Sequence, residues 1–483
     1  MSIGKNFLIL LKGVNSLKSE RETLAVVIAD GFHWKYLVNT GVLEKLINSG
    51  SKLEIFLPKS LENTFDNNAF FRKNMSTSII LQFVEVGRPT KLVSFLFRYS
   101  PYFNKRYTET ESYQKEQCSR DVKGRIYLTF VKMLSFPFAV KIATWILSKS
   151  FKNEFIENKI IPGKYRGLIL STPGQKLFDI FFLLRAKEIN LKTFCAVYSW
   201  DNLTGKGNII FKPDRLSVWN KFMFNEAVEL HKFNSNNVSV TGSPTFENYF
   251  KELKDGKKSD FIKSFGFKSS IRDFILVTTV PKRFYGSGHI DLVQILIELL
   301  FRIKNTSVGI IVRVHPMDST SYSQFEGSDA VKIDYFESER ATSRENALLS
   351  WMPRLNNIDH LRKSLKFAIL NINVASTISI ESALLGTPCL NIGFHIDNTK
   401  YLKYGDPMRF YKYTHLQNLV NANLTIICET QKSFISKVKK QINSKKSKID
   451  FALRERALEF VGGVKENSSD LIAQDIIKFF KLK

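Results

Sequence analysis

Hydroxyl and carboxylate side chains cluster where a short predicted strand gives way to a predicted helix. The apolar run 367–373 has strand length, and the residues after Thr377 are good helix formers. Ser376 or Thr377 is placed to cap that helix, and Ser379 adds a hydroxyl in its first turn. A helix N-terminus carries unpaired N–H groups and about half a positive charge, so it suits a phosphate. Glu381, about one turn further in, could accept both hydroxyls of a ribose. The alternative is that the hydroxyls only cap the helix and Glu381 is solvated.

Cationic side chains follow two other predicted strands of the same half of the chain. Lys282 and Arg283 come shortly after one apolar run, and Arg313 and His315 stand at the end of the next. Loops that end parallel strands of one sheet meet at one edge, so these groups are expected beside the hydroxyl cluster. Lys and Arg, with a helix N-terminus, can neutralise a diphosphate leaving group. Since no Asp-x-Asp motif ends a strand, we predict no requirement for a divalent metal ion, and no cofactor is predicted.

The first half of the chain offers two candidate general bases. A β-branched run, 24–29, precedes a loop containing His33, and the helix and strand that follow are typical of a doubly wound sheet. A later strand end carries the loop 198–207, in which Trp, Asp, Asn, Thr and Gly occur together, with Asp201 as its carboxylate. Either His33 or Asp201 could deprotonate an acceptor hydroxyl. A lone histidine in a loop is also compatible with ordinary polar surface.

Composition limits the class of protein and its partners. A chain of 483 residues with 44% hydrophobic and 13% aromatic residues can form two domains with separate cores. A net charge of +26 calls for an anionic partner, and the chain has no nucleic-acid-binding motif, so an anionic membrane or substrate is favoured. The four cysteines lack metal-ligand spacing and indicate free thiols in a reducing cytoplasm.

A basic, aromatic-rich insertion interrupts the first half at about 88–152. Its most apolar part, 126–147, contains Lys132 and Lys141, which would cost several kcal/mol inside a bilayer. We therefore predict helices lying on an anionic membrane surface and no membrane-spanning helix. The alternative is that these helices pack on the domain and the lysines extend outward.

Two stretches resemble the GT-B glycosyltransferase superfamily. Ser-Thr-Ile-Ser-Ile-Glu-Ser-Ala-Leu-Leu-Gly-Thr-Pro (376–388) resembles its nucleotide-binding segment, and Val-Ser-Val-Thr-Gly-Ser-Pro (238–244) resembles the exit from its first domain. The resemblance implies an α/β protein with two Rossmann-like doubly wound domains facing a central cleft. The first domain, 1–244, would bind the acceptor, and the second, 245–483, the nucleotide donor. In that superfamily a histidine base often follows the first strand, and the terminal helices often return to the first domain.

The resemblance implies a glycosyltransferase of bacterial surface-polysaccharide assembly, such as capsule or lipopolysaccharide. It would move a sugar from a nucleotide-sugar donor to a glycan or lipid-linked acceptor, as a cytoplasmic enzyme peripheral on the inner face of the membrane. The His-Pro pair at His315 is also similar to CDP-glycerol and CDP-ribitol phosphotransferases of wall teichoic acid synthesis. A sugar-nucleotide 2-epimerase and a non-catalytic membrane scaffold stay open as further alternatives.

Overall fold

The computed structural model describes residues 23–62, 78–87, 89–99, 122–133, 137–206, 209–251, 256–335, 355–444, 450–463 and 467–482. These residues form two compact units. The first unit runs to Thr245 and also includes the residues from Asn467 on, and the second begins at Phe246. The sequence analysis ended the first domain at Pro244 and counted 245–483 as the second, while noting that terminal helices of the GT-B superfamily often return to the first domain; the last helix lies in the first unit.

A parallel seven-stranded sheet forms the middle of the first unit. Its strands are β1 Thr23–Val27, β2 Lys52–Pro58, β3 Ile79–Val84, β4 Gly167–Leu170, β5 Thr193–Ala196, β6 Arg215–Val218 and β7 Val238–Val240. Their order is β3-β2-β1-β4-β5-β6-β7, so successive strands are added in opposite directions from the β1–β4 pair. In such sheets a crevice opens at the carboxyl ends of the two strands where the order reverses.

Helices surround this sheet, which explains its nearly continuous apolar strand sequences. Every residue of β4 and of β5 is buried. The helices are α1 Val42–Asn48, α2 Lys91–Tyr99, α3 Val122–Met133, α4 Pro137–Ser150, α5 Glu154–Lys159, α6 Leu177–Glu188 and α7 Lys221–Glu229. Short helical turns occupy Gly31–Trp34, Lys35–Asn39, Lys59–Leu61, Asn202–Gly205 and Ser235–Asn237, and Pro244–Tyr249 forms another at the boundary.

The second unit is built on a parallel six-stranded sheet. Its strands are β8 Asp273–Thr278, β9 Val308–Val314, β10 Val331–Tyr335, β11 Leu370–Asn373, β12 Cys389–Ile392 and β13 Ile426–Cys428. The order is β10-β9-β8-β11-β12-β13, which reverses between β8 and β11. Both units therefore have the Rossmann-like, doubly wound arrangement that the sequence analysis predicts.

Helices of the second unit follow its strands along the chain. They are α8 Lys258–Ser264, α9 Gly288–Arg302, α10 Leu355–Phe367, α11 Ile378–Leu384, α12 Thr414–Asn421, α13 Gln431–Asn443 and α14 Phe451–Phe460. Shorter turns lie at Lys282–Tyr285, Ser323–Phe325, Asn398–Tyr401, Leu402–Tyr404 and Pro407–Lys412. The loops between strands and helices carry most of the predicted binding residues.

The last helix, α15 Ser468–Phe480, packs against α1 and β6 of the first unit. Arg215 of β6 pairs with Asp475 at 2.6 Å, and Arg166 Nε donates to the Phe480 carbonyl at 2.8 Å. A Cβ added at Gly167 would lie only 2.1 Å from the Phe480 ring, so glycine is needed there for the helix to approach the sheet. These contacts fasten the C-terminal part of the chain to the first sheet.

The predicted insertion is partly described. Residues 88, 100–121 and 134–136 lie outside the described residues, and the rest includes α2, α3 and α4. Pro137 begins α4, where its missing N–H costs no helical hydrogen bond. Among the helices that the structure describes, none is long and apolar enough to cross a membrane.

Candidate functional site

Loops after β8, β9 and β11 meet at one edge of the second sheet, at and beside its reversal point. β8 pairs with both β9 and β11, so its loop lies between the other two. The Thr279 hydroxyl accepts the His315 backbone N–H at 2.9 Å, and the Thr278 hydroxyl donates to the Ile372 carbonyl at 3.2 Å. These hydrogen bonds join all three strand ends, so the structure brings the three predicted loops together.

Glu381 is nearly buried and has a partner that the sequence did not suggest. The side chain is 7% exposed and accepts a hydrogen bond from the hydroxyl of Tyr249. Burial, and then the neighbouring Glu381 carboxylate, raise the pKa of Tyr249 well above its ordinary value. Tyr249 therefore stays a hydrogen-bond donor at neutral pH and holds the Glu381 carboxylate in place.

The hydroxyl cluster before α11 divides into two parts. Ser376 and Thr377 are half-buried and directly follow Ala375, whose backbone takes a left-handed φ of 43° that few non-glycine residues adopt. Ser379 is fully buried, and its hydroxyl accepts hydrogen bonds from Asn373 and Asn391 at 3.2 and 3.0 Å. The Ser379 hydroxyl thus bonds to side chains of β11 and β12 in the core, and its predicted ligand contact stays a prediction. Helix α11 has only seven residues and Thr377 makes no side-chain cap, so its N-terminus is a weak anion site by itself.

Arg313 points along the sheet toward β10. Its guanidinium lies 2.5 Å from Asp334, which His360 also contacts at 3.1 Å. Burial raises the pKa of Asp334, but hydrogen bonding and charge attraction from His360 and Arg313 outweigh it and leave the pKa below its ordinary value. Arg313 is therefore held in an ion pair within the sheet, and its predicted phosphate contact stays a prediction.

His315 lies half-buried at the end of β9. Its Nδ1 accepts the Met317 backbone N–H at 3.0 Å, so the neutral ring carries its proton on Nε2. Burial lowers the pKa of His315 to about 4, although Asp318 acts in the opposite direction. At neutral pH the ring is thus an uncharged hydrogen-bond donor.

Lys282 and Arg283 form the cationic part of this edge. Lys282 is exposed, and Arg283 is half-buried with its guanidinium 4.7 Å from the centre of the Phe284 ring. In the described part of the chain neither side chain forms an ion pair, and Arg283 Nε is buried without a hydrogen-bond partner. This edge therefore carries two cationic groups, and among the described residues no carboxylate contacts either of them.

The first sheet has a polar cluster at its own reversal point, between β1 and β4. Asp30, in the loop after β1, accepts the Phe32 and His33 backbone N–H groups at 3.0 and 3.2 Å. Its second oxygen accepts from Lys176 Nζ at 2.8 Å, and His33 Nδ1 lies 2.7 Å from the first. Burial raises the pKa of Asp30, but His33 and Lys176 outweigh it, and the pKa falls well below its ordinary value. The sequence analysis identified His33 but neither of its charged neighbours.

His33 itself is buried within this unit. Only 1% of the residue is exposed, both ring nitrogens are buried, and the ring packs edge-on against Tyr198 with centres 4.5 Å apart. Asp179, nearby, is also buried and accepts hydrogen bonds from the backbone and hydroxyl groups of Ser171 and Thr172. The predicted base thus lies at the expected strand end, but not on an accessible surface of the unit.

Asp201, the other predicted base, is more accessible. Its side chain is 29% exposed, accepts from the Ser199 hydroxyl at 2.6 Å and lies 3.5 Å from Lys206 Nζ. Burial lowers the pKa of Lys206, but Asp201 and Tyr198 outweigh it and raise the pKa above its ordinary value. This loop is tied to the β4 loop, because Gln175 Nε2 donates to the Asn202 carbonyl at 2.6 Å. His33 and Asp201 therefore belong to one group of strand-end loops.

Metal ligands are not grouped anywhere in the described residues. Within those ranges, no set of three or more His, Cys, Asp or Glu side chains is arranged to hold an ion. Cys195, Cys389 and Cys428 are buried free thiols. The predicted metal independence stays a prediction, since parts of the chain lie outside the described residues.

Comparison with solved structures identifies the fold. A Listeria monocytogenes protein described as a UDP-N-acetylglucosamine 2-epimerase superposes with a TM-score of 0.54 at 9% identity, covering 96% of this chain and 98% of that one. The chain has the GT-B fold. The UDP complex of S. aureus MnaA (TM-score 0.50, 13% identity, coverage 95% and 97%) is similar in the same way. So is Arabidopsis thaliana UGT89C1 with quercetin (TM-score 0.50, 9% identity, coverage 94% and 99%).

No protein-family model and no curated protein sequence matches the chain. At these identities the structural neighbours bear on the GT-B fold alone, which confirms the fold class predicted from sequence. The chemistry carried by the fold has to be argued from the strand-end loops of this chain.

Proposed function

We propose that the chain is a GT-B glycosyltransferase that moves a sugar from a nucleotide-sugar donor to a surface-polysaccharide or lipid-linked acceptor. The observation that carries this proposal is that the loops after β8, β9 and β11 are hydrogen-bonded to one another at the β8–β11 reversal point; they carry Lys282, Arg283 and the neutral His315, and the third leads into the helix that contains Glu381. Crevices at this position of doubly wound sheets bind nucleotides. We place the enzyme at the anionic inner face of the cytoplasmic membrane.

The second unit would bind the donor. Lys282 and Arg283 would neutralise the charge that develops on the departing nucleoside diphosphate, without a metal ion. His315 would donate from Nε2 to a phosphate oxygen, and the Ser376 and Thr377 hydroxyls are proposed to do the same from the neighbouring loop. Glu381, held by Tyr249, would accept the ribose hydroxyls.

The first unit would handle the acceptor. Asp201 is our preferred general base, because its carboxylate is accessible at a strand-end loop and a base must come within hydrogen-bond reach of the hydroxyl it deprotonates. His33 is the second candidate, and its Nδ1 contact with Asp30 would orient the ring so that Nε2 accepts the proton of the acceptor hydroxyl. A retaining reaction would make both bases unnecessary.

A nucleotide panel tests the proposal. UDP, GDP, ADP, CDP and CMP are added separately and the melting temperature is followed, since a ligand at a hundred times its Kd stabilises the folded state by about 2.7 kcal/mol. We expect one diphosphate to bind, and Arg283→Gln to weaken its binding more than that of the corresponding nucleoside. Absence of any nucleotide binding would refute the proposed function.

Turnover separates the alternatives that share a nucleotide site. A glycosyltransferase releases nucleoside diphosphate only when an acceptor is present. Conversion of a lone sugar nucleotide would indicate an epimerase, release of CMP from CDP-glycerol would indicate a polyol-phosphate transferase, and binding without turnover would indicate a scaffold. Each outcome is read from the nucleotide product by chromatography.

A further inference from the structure

Helix α3 presents large apolar side chains to solvent along one side. Val122, Ile126, Phe130 and Met133 are 63%, 60%, 54% and 80% exposed, and their spacing of four, four and three residues places them on one face. Leu128, on the opposite face, is buried. The helix is thus apolar on two sides, and only one of them is covered by described residues.

Helix α4 repeats this arrangement. Phe138, Ile142 and Trp145 are 66%, 43% and 64% exposed at helical spacing, while Ala143 and Leu147 are buried on the other side. Both α3 and α4 pack against α2, and Phe95 of α2 contacts the Tyr127 ring of α3 with centres 5.1 Å apart. Exposed apolar stripes of this size on neighbouring helices mark an interaction surface.

Charge selects the partner of these two stripes. Every charged residue of α2, α3 and α4 is Lys or Arg. Lys123 and Arg125 lie on either side of the α3 stripe by helical spacing, and Lys141 and Lys149 lie beside and within the α4 stripe; all four are exposed. A second copy of this surface would carry the same positive charge and be repelled, whereas anionic headgroups complement cations placed around apolar side chains.

We propose that the exposed stripes of α3 and α4 insert into the headgroup region of an anionic bilayer, with Lys123, Arg125, Lys141 and Lys149 contacting lipid phosphates. At about 1.5 Å per residue, helices of 12 and 14 residues are too short to span a hydrocarbon core of about 30 Å, so they lie along the surface. The inference rests on the proposed function only for the choice of the inner leaflet. Beyond attraction between charges, the inference assigns insertion into the bilayer to named apolar side chains.

Trp145 reports this insertion directly. Trp34, Trp200 and Trp219 are at most 8% exposed, so Trp145 is the one exposed tryptophan among the described residues. A Trp351→Phe background removes the remaining tryptophan of the sequence from the signal. On vesicles of phosphatidylcholine with phosphatidylglycerol, emission should shift to shorter wavelength and become protected from acrylamide. The same protein with Trp145→Phe should show neither change.

Two variants separate the apolar and charged contributions in vesicle co-sedimentation. Ile126→Ser with Phe130→Ser should lower the partition coefficient at least about tenfold, because apolar area no longer leaves water. Replacing the four cations with Gln should lower it by about fivefold per residue and remove the preference for anionic vesicles. Phe301→Ser is the matched control, because Phe301 is 84% exposed on α9 of the other unit, and it should bind vesicles like the parent.

Several results would overturn the proposal. Two of them come from the vesicle experiments: an unchanged Trp145 emission on vesicles, and partitioning of the Ile126/Phe130 variant equal to that of the parent. The other two come from the protein without lipid: a Trp145 that is already protected from acrylamide because other parts of the chain cover it, or a stable dimer formed through this surface. Nucleotide affinity is measured without vesicles in the same variants and should stay unchanged. If the parent protein binds no nucleotide, the proposed function is refuted, whereas the vesicle result still decides the membrane proposal.

Discussion

Glu381→Gln tests the ribose-binding role with little disturbance of the fold. The amide has nearly the shape of the carboxylate, and its oxygen can still accept from the Tyr249 hydroxyl. Hydrogen bonds to a charged acceptor contribute about 1.5–3 kcal/mol, against about 0.5–1.5 kcal/mol for neutral pairs. With two ribose hydroxyls the expected loss is about 2–3 kcal/mol, which is at least about tenfold in Kd. Isothermal titration with the nucleotide that gives the largest thermal shift measures it.

Two controls show whether a loss belongs to the ribose. A 2′,3′-dideoxy nucleotide should bind the parent at least as weakly as the normal nucleotide binds Glu381→Gln, and the variant should distinguish the two ligands less than the parent does, because its amide keeps only neutral hydrogen bonds to the ribose. Tyr249→Phe, which keeps the carboxylate, should have a smaller effect on affinity. Parental affinity in Glu381→Gln, or equal losses for both nucleotides, would refute the ribose role and leave Glu381 as a structural partner of Tyr249.

Three further predictions concern stability and are measured by urea unfolding. Gly167→Ala should lower the free energy of unfolding by about 1–3 kcal/mol, because its Cβ meets the Phe480 ring, and Phe480→Leu in the same chain should recover part of the loss. Asp30→Asn should cost about 1–3 kcal/mol at pH 7, since it weakens the caps and leaves Lys176 without its carboxylate; parental stability would contradict the pairing. Burial lowers the pKa of His289 to about 4 in the folded protein, against an ordinary value of 6.5 in the unfolded chain. The unfolded chain therefore binds a proton at a higher pH than the folded protein does, and the free energy of unfolding falls as the pH drops from about 6.5 to about 4. Between pH 7 and pH 5, the free energy of unfolding of His289→Leu should therefore fall by about 2 kcal/mol less than that of the parent. An equal fall in both proteins would contradict a buried neutral ring.

Elements with a strong hydrophobic pattern were predictable from sequence. The apolar run 367–373 and the helix predicted after Thr377 match β11 and α11 within a few residues. The edge strands β3 and β13 were missed because they are short or partly exposed, which weakens their apolar pattern. Local pattern therefore located continuous apolar runs more readily than short or partly exposed strands.

Side-chain partners were much less predictable than strands. Tyr249 lies far from Glu381 in sequence, and Lys176 is 146 positions from Asp30, so no spacing rule connects them. The same limitation explains Ser379, whose residue type suits a ligand contact but whose hydroxyl lies in the core. Residue type and position at a strand end were enough to identify the loops. The direction of each side chain depends on packing between segments that are distant in sequence, which local sequence patterns do not show.

The two strand-end clusters differ in charge, and this difference supports the assignment of donor and acceptor. In the first unit, Asp30 balances Lys176 and Asp201 balances Lys206, so the cluster suits an uncharged, hydroxyl-bearing acceptor. In the second unit no described carboxylate contacts Lys282 or Arg283, and a diphosphate would supply the missing negative charge. If the nucleotide were bound by the first unit instead, its diphosphate would lie against Asp30 and Asp201, and these like charges would repel each other. Electrostatics thus favours a nucleotide donor on the second unit before any likeness to another protein is considered.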